Sequence, residues 1–141
     1  MKSAAGILLL LTLSIPAAAE SPSPGDDPLA RHLFLPERVM GHAQEIGLDD
    51  TQRTAIRKEV QKAQSKFLDL QFDIQTEMET MVRLVKENKV DEPKVLAQLD
   101  KVLALEKDIK KTQISLLVRI KNILTPTQQA RLSEIPRDPG K

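Results

Sequence analysis

The sequence of 141 residues contains no cysteine, tryptophan or tyrosine, and its only aromatic side chains are three phenylalanines. Without cysteine the chain has no disulfide, no thiol nucleophile and no thiolate metal ligand. With so few aromatic rings it offers no platform on which bases could stack. Stability must therefore come from apolar packing or from a second subunit, and nucleic acid is not an expected partner.

Other groups that carry chemistry are also scarce. The chain has only two histidines, no serine in a recognised nucleophile motif and no glycine-rich loop that could hold a phosphate. We therefore expect that the protein is not an enzyme. Its formal net charge of +1 provides no electrostatic attraction to nucleic acid or to an acidic membrane surface.

Residues 1–19 have the organisation of a secretory signal peptide. Lys2 supplies the positive start, residues 7–15 form the apolar stretch, and Ala17 to Ala19 are the small residues that precede cleavage. The apolar stretch is about half as long as the roughly 20 residues that span a bilayer. We expect export, cleavage after Ala19, a periplasmic location and a mature chain that is not inserted in a membrane.

Proline and glycine are concentrated at the two ends of the mature sequence. Residues 20–31 contain three prolines, one glycine and an Asp-Asp pair, and residues 136–141 contain two prolines and one glycine. Such segments bury too little apolar surface to order themselves, so both are expected to be disordered tails. Residues 32–135 are left as a single domain.

The domain has the pattern of an all-α protein with four helices. Pro36, Pro93 and Pro126 lie in the first turns of predicted helices, where proline is tolerated. Gly47 can adopt the left-handed conformation that often ends a helix. The expected helices run from Pro36 to about Ile46, from Asp49 to about Asn88, from Asp91 to about Ile123, and from Thr125 to about Ile135.

The two central helices carry apolar side chains at seven-residue spacing, which predicts a packed seam. Each is on the order of 50 Å long, and the short connection makes them an antiparallel hairpin flanked by a short N-terminal and a short C-terminal helix. The apolar stripes are too wide for one partner, so we expect a homodimer. The spaced residues are Val60, Phe67, Ile74 and Met81, and Val95, Val102, Ile109, Leu116 and Ile123.

The second and last helices are preceded by one shared motif, which consists of leucine, a capping residue, two variable positions and glutamine. In this capping box the capping side chain accepts from the glutamine N–H, and the glutamine side chain reaches back. We expect Thr125→Ala to cost about 1 kcal/mol of stability and Gln128→Ala to cost less. The motif residues are Leu48, Asp49 and Gln52, and Leu124, Thr125 and Gln128.

This pair of motifs resembles the LTxxQ family of periplasmic stress proteins, the Spy/CpxP group, whose relatives include the zinc-linked ZraP and the metal sensor CnrX. The resemblance covers residues 32–135. The second copy matches fully, while the first has Asp49 in place of threonine, an exchange that preserves capping. The resemblance implies a hairpin that dimerises into a cradle, and an ATP-independent chaperone or stress adaptor that binds unfolded or envelope proteins.

The metal-linked relatives imply an alternative function, which is the periplasmic sensing or binding of a heavy metal. The candidate ligands are His32, His42 and Met40, because imidazole and thioether groups suit transition metals. The two histidines are ten residues apart and do not form the i, i+4 pair that holds a metal on a helix. We expect no resident cofactor, and a transition metal is the ligand only of the alternative function.

Overall fold

The computed structural model describes residues 28, 29 and 31–137, and this part of the chain contains four α-helices and no strand. The predicted all-α class and helical hairpin are thus confirmed. The expected signal peptide and most of the two expected tails lie outside the described residues. The helices are α1 (Pro36–Gly41), α2 (Asp50–Val85), α3 (Glu92–Ile123) and α4 (Pro126–Glu134).

α1 is shorter than the sequence predicts, because it ends at Gly41 instead of near Ile46. Just beyond this point the N–H of Ala43 donates to the carbonyl of Met40, three residues back, which is a tighter turn than an α-helix makes. Gly41 has a low helix propensity and lies at the change of geometry. The chain then continues in turns to Gly47.

Gly47 ends these turns in the left-handed conformation, as predicted, with φ of 69°. The N–H of Leu48 donates to the carbonyl of Ala43 at 2.8 Å, and the N–H of Gly47 donates to the carbonyl of Gln44 at 3.2 Å. These two bonds form the Schellman arrangement that closes a helix end. They direct the chain into Asp49 and the start of α2.

α2 and α3 contain 36 and 32 residues and pack against each other as an antiparallel hairpin on the order of 50 Å long. Contacts between side chains give the register, since Glu59 pairs with Arg119 at one end and Glu77 binds Gln98 toward the other. α2 ends somewhat before the expected Asn88. No helix among the described residues is long and apolar enough to cross a membrane.

A hydrophobic core lies at one end of the hairpin, where α1 and α4 cover it, and we call this end the base. Beyond the base the described part of the chain is two helices thick, and its buried residues there are Ala63, Leu70, Gln98 and Val102. Most of the predicted seam is therefore only half-buried. The structure extends the seam with other buried or half-buried residues between α2 and α3, which are Ala63, Leu70, Glu77, Leu84, Gln98, Leu105, Thr112 and Ile120. The base core consists of Phe34, Val39, Ala43, Ile46, Leu48, Ile56, Ile120, Leu124 and Leu132.

Candidate functional site

Both capping motifs form complete capping boxes at the base. The Asp49 carboxylate accepts from the N–H of Gln52 at 2.7 Å, and the N–H of Asp49 donates to the Gln52 side-chain oxygen at 3.1 Å. At α4 the Thr125 hydroxyl accepts from the N–H of Gln128 at 3.2 Å, and the N–H of Thr125 donates to the Gln128 side-chain oxygen at 2.9 Å. Each box satisfies backbone donors that a helix start leaves unpaired.

The side chains of Gln52 and Gln128 also bind each other, and we call them the glutamine pair. The Nε2 of Gln52 donates to Gln128 Oε1 at 2.7 Å, and the Nε2 of Gln128 donates to Gln52 Oε1 at 2.9 Å. The second N–H of Gln52 donates to the carbonyl of Ile123 at 3.0 Å, and that of Gln128 to the carbonyl of Gly47 at 3.0 Å. Each amide thus makes four hydrogen bonds, which is all that a carboxamide can form.

The glutamine pair connects the start of α2 to the start of α4. It also hydrogen-bonds to the carbonyl of Ile123 in the last turn of α3 and to the carbonyl of Gly47, at the end of the turns that follow α1. Gln128 is only 6% exposed, and the groups that it binds would lose their partners if its side chain were removed. The sequence-based expectation that Gln128→Ala costs less than Thr125→Ala is therefore reversed. That expectation counted one capping bond and did not include the partner 76 residues away.

Two further side chains that the sequence did not single out tie the base together. Arg38 donates from Nη2 to the carbonyls of Leu132 at 2.8 Å and Ile135 at 2.6 Å. These bonds give partners to carbonyl groups that the C-terminal end of α4 leaves unpaired. Gln129 donates from Nε2 to the carbonyls of Lys121 and Leu124, which does the same for α3. No local sequence pattern identifies Arg38 for this role, because its partners are more than 90 residues away.

Beyond the base, the two sides of the hairpin differ in chemistry. On one side, the residues that directly precede a seam position in α2 and in α3 line two shallow grooves of about 470 and 360 Å³. Most of these residues are charged or polar, and we call this side the polar face. It includes Glu59, Lys62, Lys66, Asp73, Thr76, Lys101, Asp108, Lys111, Ser115 and Arg119.

The opposite side of the hairpin is the apolar face. Because successive helical residues are about 100° apart, residues that directly follow a seam position lie on the side away from the grooves in both helices. Many of them are large, apolar and exposed; Leu103 is 49% exposed and Val82 is 42% exposed. The apolar face consists of Leu68, Met78, Val82 and Val85 of α2, and Leu96, Leu99, Leu103 and Leu117 of α3.

The polar face holds one ion pair that joins the two helices. The Arg119 guanidinium donates to the Glu59 carboxylate at 2.9 Å, and Lys62 lies 3.8 Å from the same carboxylate. The hydrogen bond from Arg119 holds the pKa of Glu59 below its ordinary value of 4.5 against an opposing effect of burial, and the nearby positive charges lower it further.

This lowered pKa predicts an acid-sensitive contribution to stability. A carboxylate whose pKa is depressed by folding stabilises the folded state above its unfolded-state pKa, and that contribution is lost as the pH falls through the folded-state pKa. Glu59→Gln should therefore lower the unfolding temperature at about pH 7 and have a smaller effect at about pH 3. Thermal unfolding across this range checks it, with the exposed Glu87→Gln as control. An equal effect of Glu59→Gln at both pH values would contradict it.

A protein-family model described as heavy-metal resistance matches residues 4–131, which include both capping motifs and the whole hairpin. The chain belongs to the heavy-metal resistance family. This family is part of the periplasmic group with LTxxQ motifs, so the resemblance found in the sequence is confirmed at that level. No curated protein and no solved structure matches the chain.

The family description makes the three candidate metal ligands relevant. The structure gives each of them a different environment. His32 is exposed, and Met40 packs against the base core. His42 is partly exposed, and its Nδ1 lies 3.1 Å from the Glu45 carboxylate. In the described part of the chain, no group of three or more histidine, aspartate or glutamate residues could hold a metal ion. Within these residues the donors of a single subunit thus do not fit a closed transition-metal site.

Proposed function

We propose that this member of the heavy-metal resistance family is a periplasmic, ATP-independent chaperone or envelope-stress adaptor that binds unfolded or envelope proteins on its apolar face. The observation that supports the proposal is the concentration of exposed large apolar side chains on one side of the hairpin. A concentration of exposed apolar side chains of this kind is typical of an interaction site on a folded protein. The periplasmic location is supported by the family, whose members are typically periplasmic.

The α2 half of the apolar face suits varied client sequences. Met78 is 42% exposed, and its flexible thioether side chain can repack against different apolar segments. The exposed Gln71 and Gln75 interrupt the apolar surface between Leu68 and Met78. Burial of client surface supplies about 25 cal/mol per Å², and these interruptions keep the buried patch small. A client is therefore held weakly enough to leave without ATP hydrolysis.

A second candidate function, heavy-metal binding or sensing, is favoured by the family description. A metal site of this kind would be shared between two subunits, because each described chain offers only His32 and His42 as imidazole ligands. Four imidazoles from two copies match the ligand number that zinc and related metals prefer. The two functions differ in whether the histidines are required.

Suppression of client aggregation, without ATP and with a chelator present, tests the chaperone function. We expect the purified protein to slow aggregation of an unfolded client, and we expect Met78→Gln with Val82→Gln to remove most of this protection, because both substitutions replace exposed apolar surface by amide groups. Ala97→Gln with Ala104→Gln is the matched control, since it adds two glutamines to exposed positions of α3 that lie off the apolar face.

The histidines separate the two candidate functions in the same assay. His32→Ala with His42→Ala should leave client protection intact, since neither residue lies on the apolar face. Loss of protection in this variant would favour the metal function. So would submicromolar zinc, nickel or copper binding by the parent protein that disappears in the double variant.

We also propose that the protein is a homodimer. Beyond the base each hairpin is two helices thick and exposes an apolar side to water, and a second copy is the simplest way to cover part of it.

A further inference from the structure

The groove of about 470 Å³ on the polar face is rich in positive charge, and we call it the basic groove. Four cationic side chains and a single carboxylate line it, which leaves an excess of three positive charges. The groove of about 360 Å³, farther from the base, has the opposite balance, with three carboxylates and one lysine. Charge is thus segregated along the polar face. The charged and hydroxyl-bearing residues that matter in the basic groove are Glu59, Lys62, Lys66, Lys111, Ser115 and Arg119.

The carboxylate of the basic groove neutralises only the end near the base. Glu59 accepts from Arg119 at 2.9 Å, and Lys62 lies 3.8 Å from the same carboxylate. Lys66 is seven residues farther along α2, which is about 10 Å along the helix axis. Neither Lys66 nor Lys111 has an ion-pair partner among the described residues. Both ammonium groups therefore keep all three N–H donors for a ligand.

The register of the hairpin places these two lysines at the same level. Starting from the pair of Glu59 with Arg119, seven residues onward in α2 is Lys66, and seven residues back in α3 is the position next to Lys111. Packed helices are about 8–10 Å apart, so two flexible lysines on opposite walls of the groove can reach one small ligand. The hydroxyl of Ser115, one turn toward the base, makes no hydrogen bond within the described residues and is a further donor.

The carboxylate of the basic groove responds to the positive charge around it. The hydrogen bond from Arg119 holds the pKa of Glu59 below its ordinary value against an opposing effect of burial, and the charges of Lys62, Arg119 and Lys58 lower it further. Surroundings that favour the ionised form of a carboxylate also favour a bound anion.

We infer that the basic groove binds a compound with one or two phosphate groups, such as a diphosphate, through Lys66, Lys111 and Ser115. A phosphate group carries about −1.5 to −2 charge at pH 7 and three acceptor oxygens, so one or two of them match the excess of three positive charges. A single carboxylate would leave most of this excess uncompensated. The proposed client-binding face lies on the opposite side of the hairpin, so failure of the chaperone function would leave this site unaffected.

Phosphate groups of this kind could come from a soluble compound or from a lipid headgroup. A membrane surface that reached the basic groove would also approach the acidic groove farther along the same face. The three carboxylates there would be repelled by anionic lipid. The polar face therefore favours a soluble ligand that is no longer than the basic groove.

Isothermal titration calorimetry of the purified protein with inorganic pyrophosphate at low salt tests the site. We expect one pyrophosphate to bind per chain. Lys66→Gln with Lys111→Gln should weaken binding about tenfold or more, because it removes two charge-assisted hydrogen-bond donors. The matched control is Lys58→Gln with Lys107→Gln, which makes the same change in net charge at one exposed position in each long helix, outside the groove. The control should bind within about twofold of the parent.

A second variant tests the groove without removing a lysine. Ser115→Asp introduces a negative charge into the basic groove and should abolish pyrophosphate binding, because like charges repel. Gln113→Asp is its control, since it adds the same charge to an exposed position of α3 that does not line the groove. All of these positions are exposed, and circular dichroism should show the helicity of the parent in each variant.

Co-sedimentation with phosphatidylcholine vesicles that contain cardiolipin, a lipid with two phosphate groups, distinguishes the two sources of phosphate. Pyrophosphate binding that depends on Lys66 and Lys111 supports the site and a soluble ligand. Association with the cardiolipin vesicles alone, dependent on the same lysines, keeps the phosphate site and overturns the soluble ligand. Absence of binding to either probe at millimolar concentration, or equal weakening by the control variants, overturns the site.

Discussion

Replacing Gln128 by alanine is expected to lower the free energy of unfolding by about 3 kcal/mol, compared with about 1 kcal/mol for Thr125→Ala. The substitution removes four hydrogen bonds at a nearly buried position. The Gln52 side chain loses two of its four hydrogen bonds, and the carbonyl of Gly47 loses its side-chain donor. A buried polar group that loses its partner costs about 1–3 kcal/mol, which is why the glutamine exceeds the threonine.

Urea unfolding of the single and double variants measures this prediction. Gln52→Ala should be similar in effect to Gln128→Ala, and the double variant should cost clearly less than the sum, because both substitutions disrupt one network. Gln61→Ala, at an exposed position of α2, is the control and should change stability by no more than about 0.5 kcal/mol. A smaller loss for Gln128→Ala than for Thr125→Ala would show that the glutamine pair contributes little.

Ile109→Asp combined with Leu116→Asp is expected to unfold the protein. Leu116 packs against the base core, and Ile109 is a half-buried seam position between α2 and α3, so both face the interior of one hairpin. An aspartate without a partner there costs about 2 kcal/mol or more per site, which is a large part of the total stability of a small domain.

A comparison with two residues of the apolar face makes this prediction specific. Leu99→Asp combined with Leu103→Asp adds the same charge at positions on the apolar face, so the chain should keep its helicity and become monomeric. Circular dichroism measures the helicity, and light scattering measures the mass. Full helicity of the Ile109 and Leu116 variant, or unfolding of the Leu99 and Leu103 variant, would contradict the assignment of these residues to the seam and to the apolar face.

The starts of the helices could be predicted from the sequence because capping is a local interaction. Asp49 and Thr125 bind a backbone N–H three residues away, and the structure contains both bonds. The left-handed conformation of Gly47 is equally local, since it depends on the absence of a Cβ. The predicted end of α1, near Ile46, lies later in the chain than the observed end at Gly41. A short helix with a residue of low helix propensity ends at a position that depends on tertiary contacts. The local sequence pattern does not specify those contacts.

The candidate site was predictable only in part. The sequence identified the motif residues and apolar stripes that were too wide for one partner. The pairing of Gln52 with Gln128 depends on two segments that meet only after the hairpin has formed.

The sequence by itself determined the all-α class, the four helices and their caps, because helical periodicity and capping act within one or two turns. Only the tertiary structure decided which apolar residues are exposed. The seven-residue spacing predicted that Ile109 lies in the seam, but it made no prediction for Leu99, which the structure places beside the seam with 38% exposure. The direction of a side chain relative to a partner helix depends on the register of the two helices, and that register is set by contacts between residues far apart in the chain, such as Glu59 with Arg119.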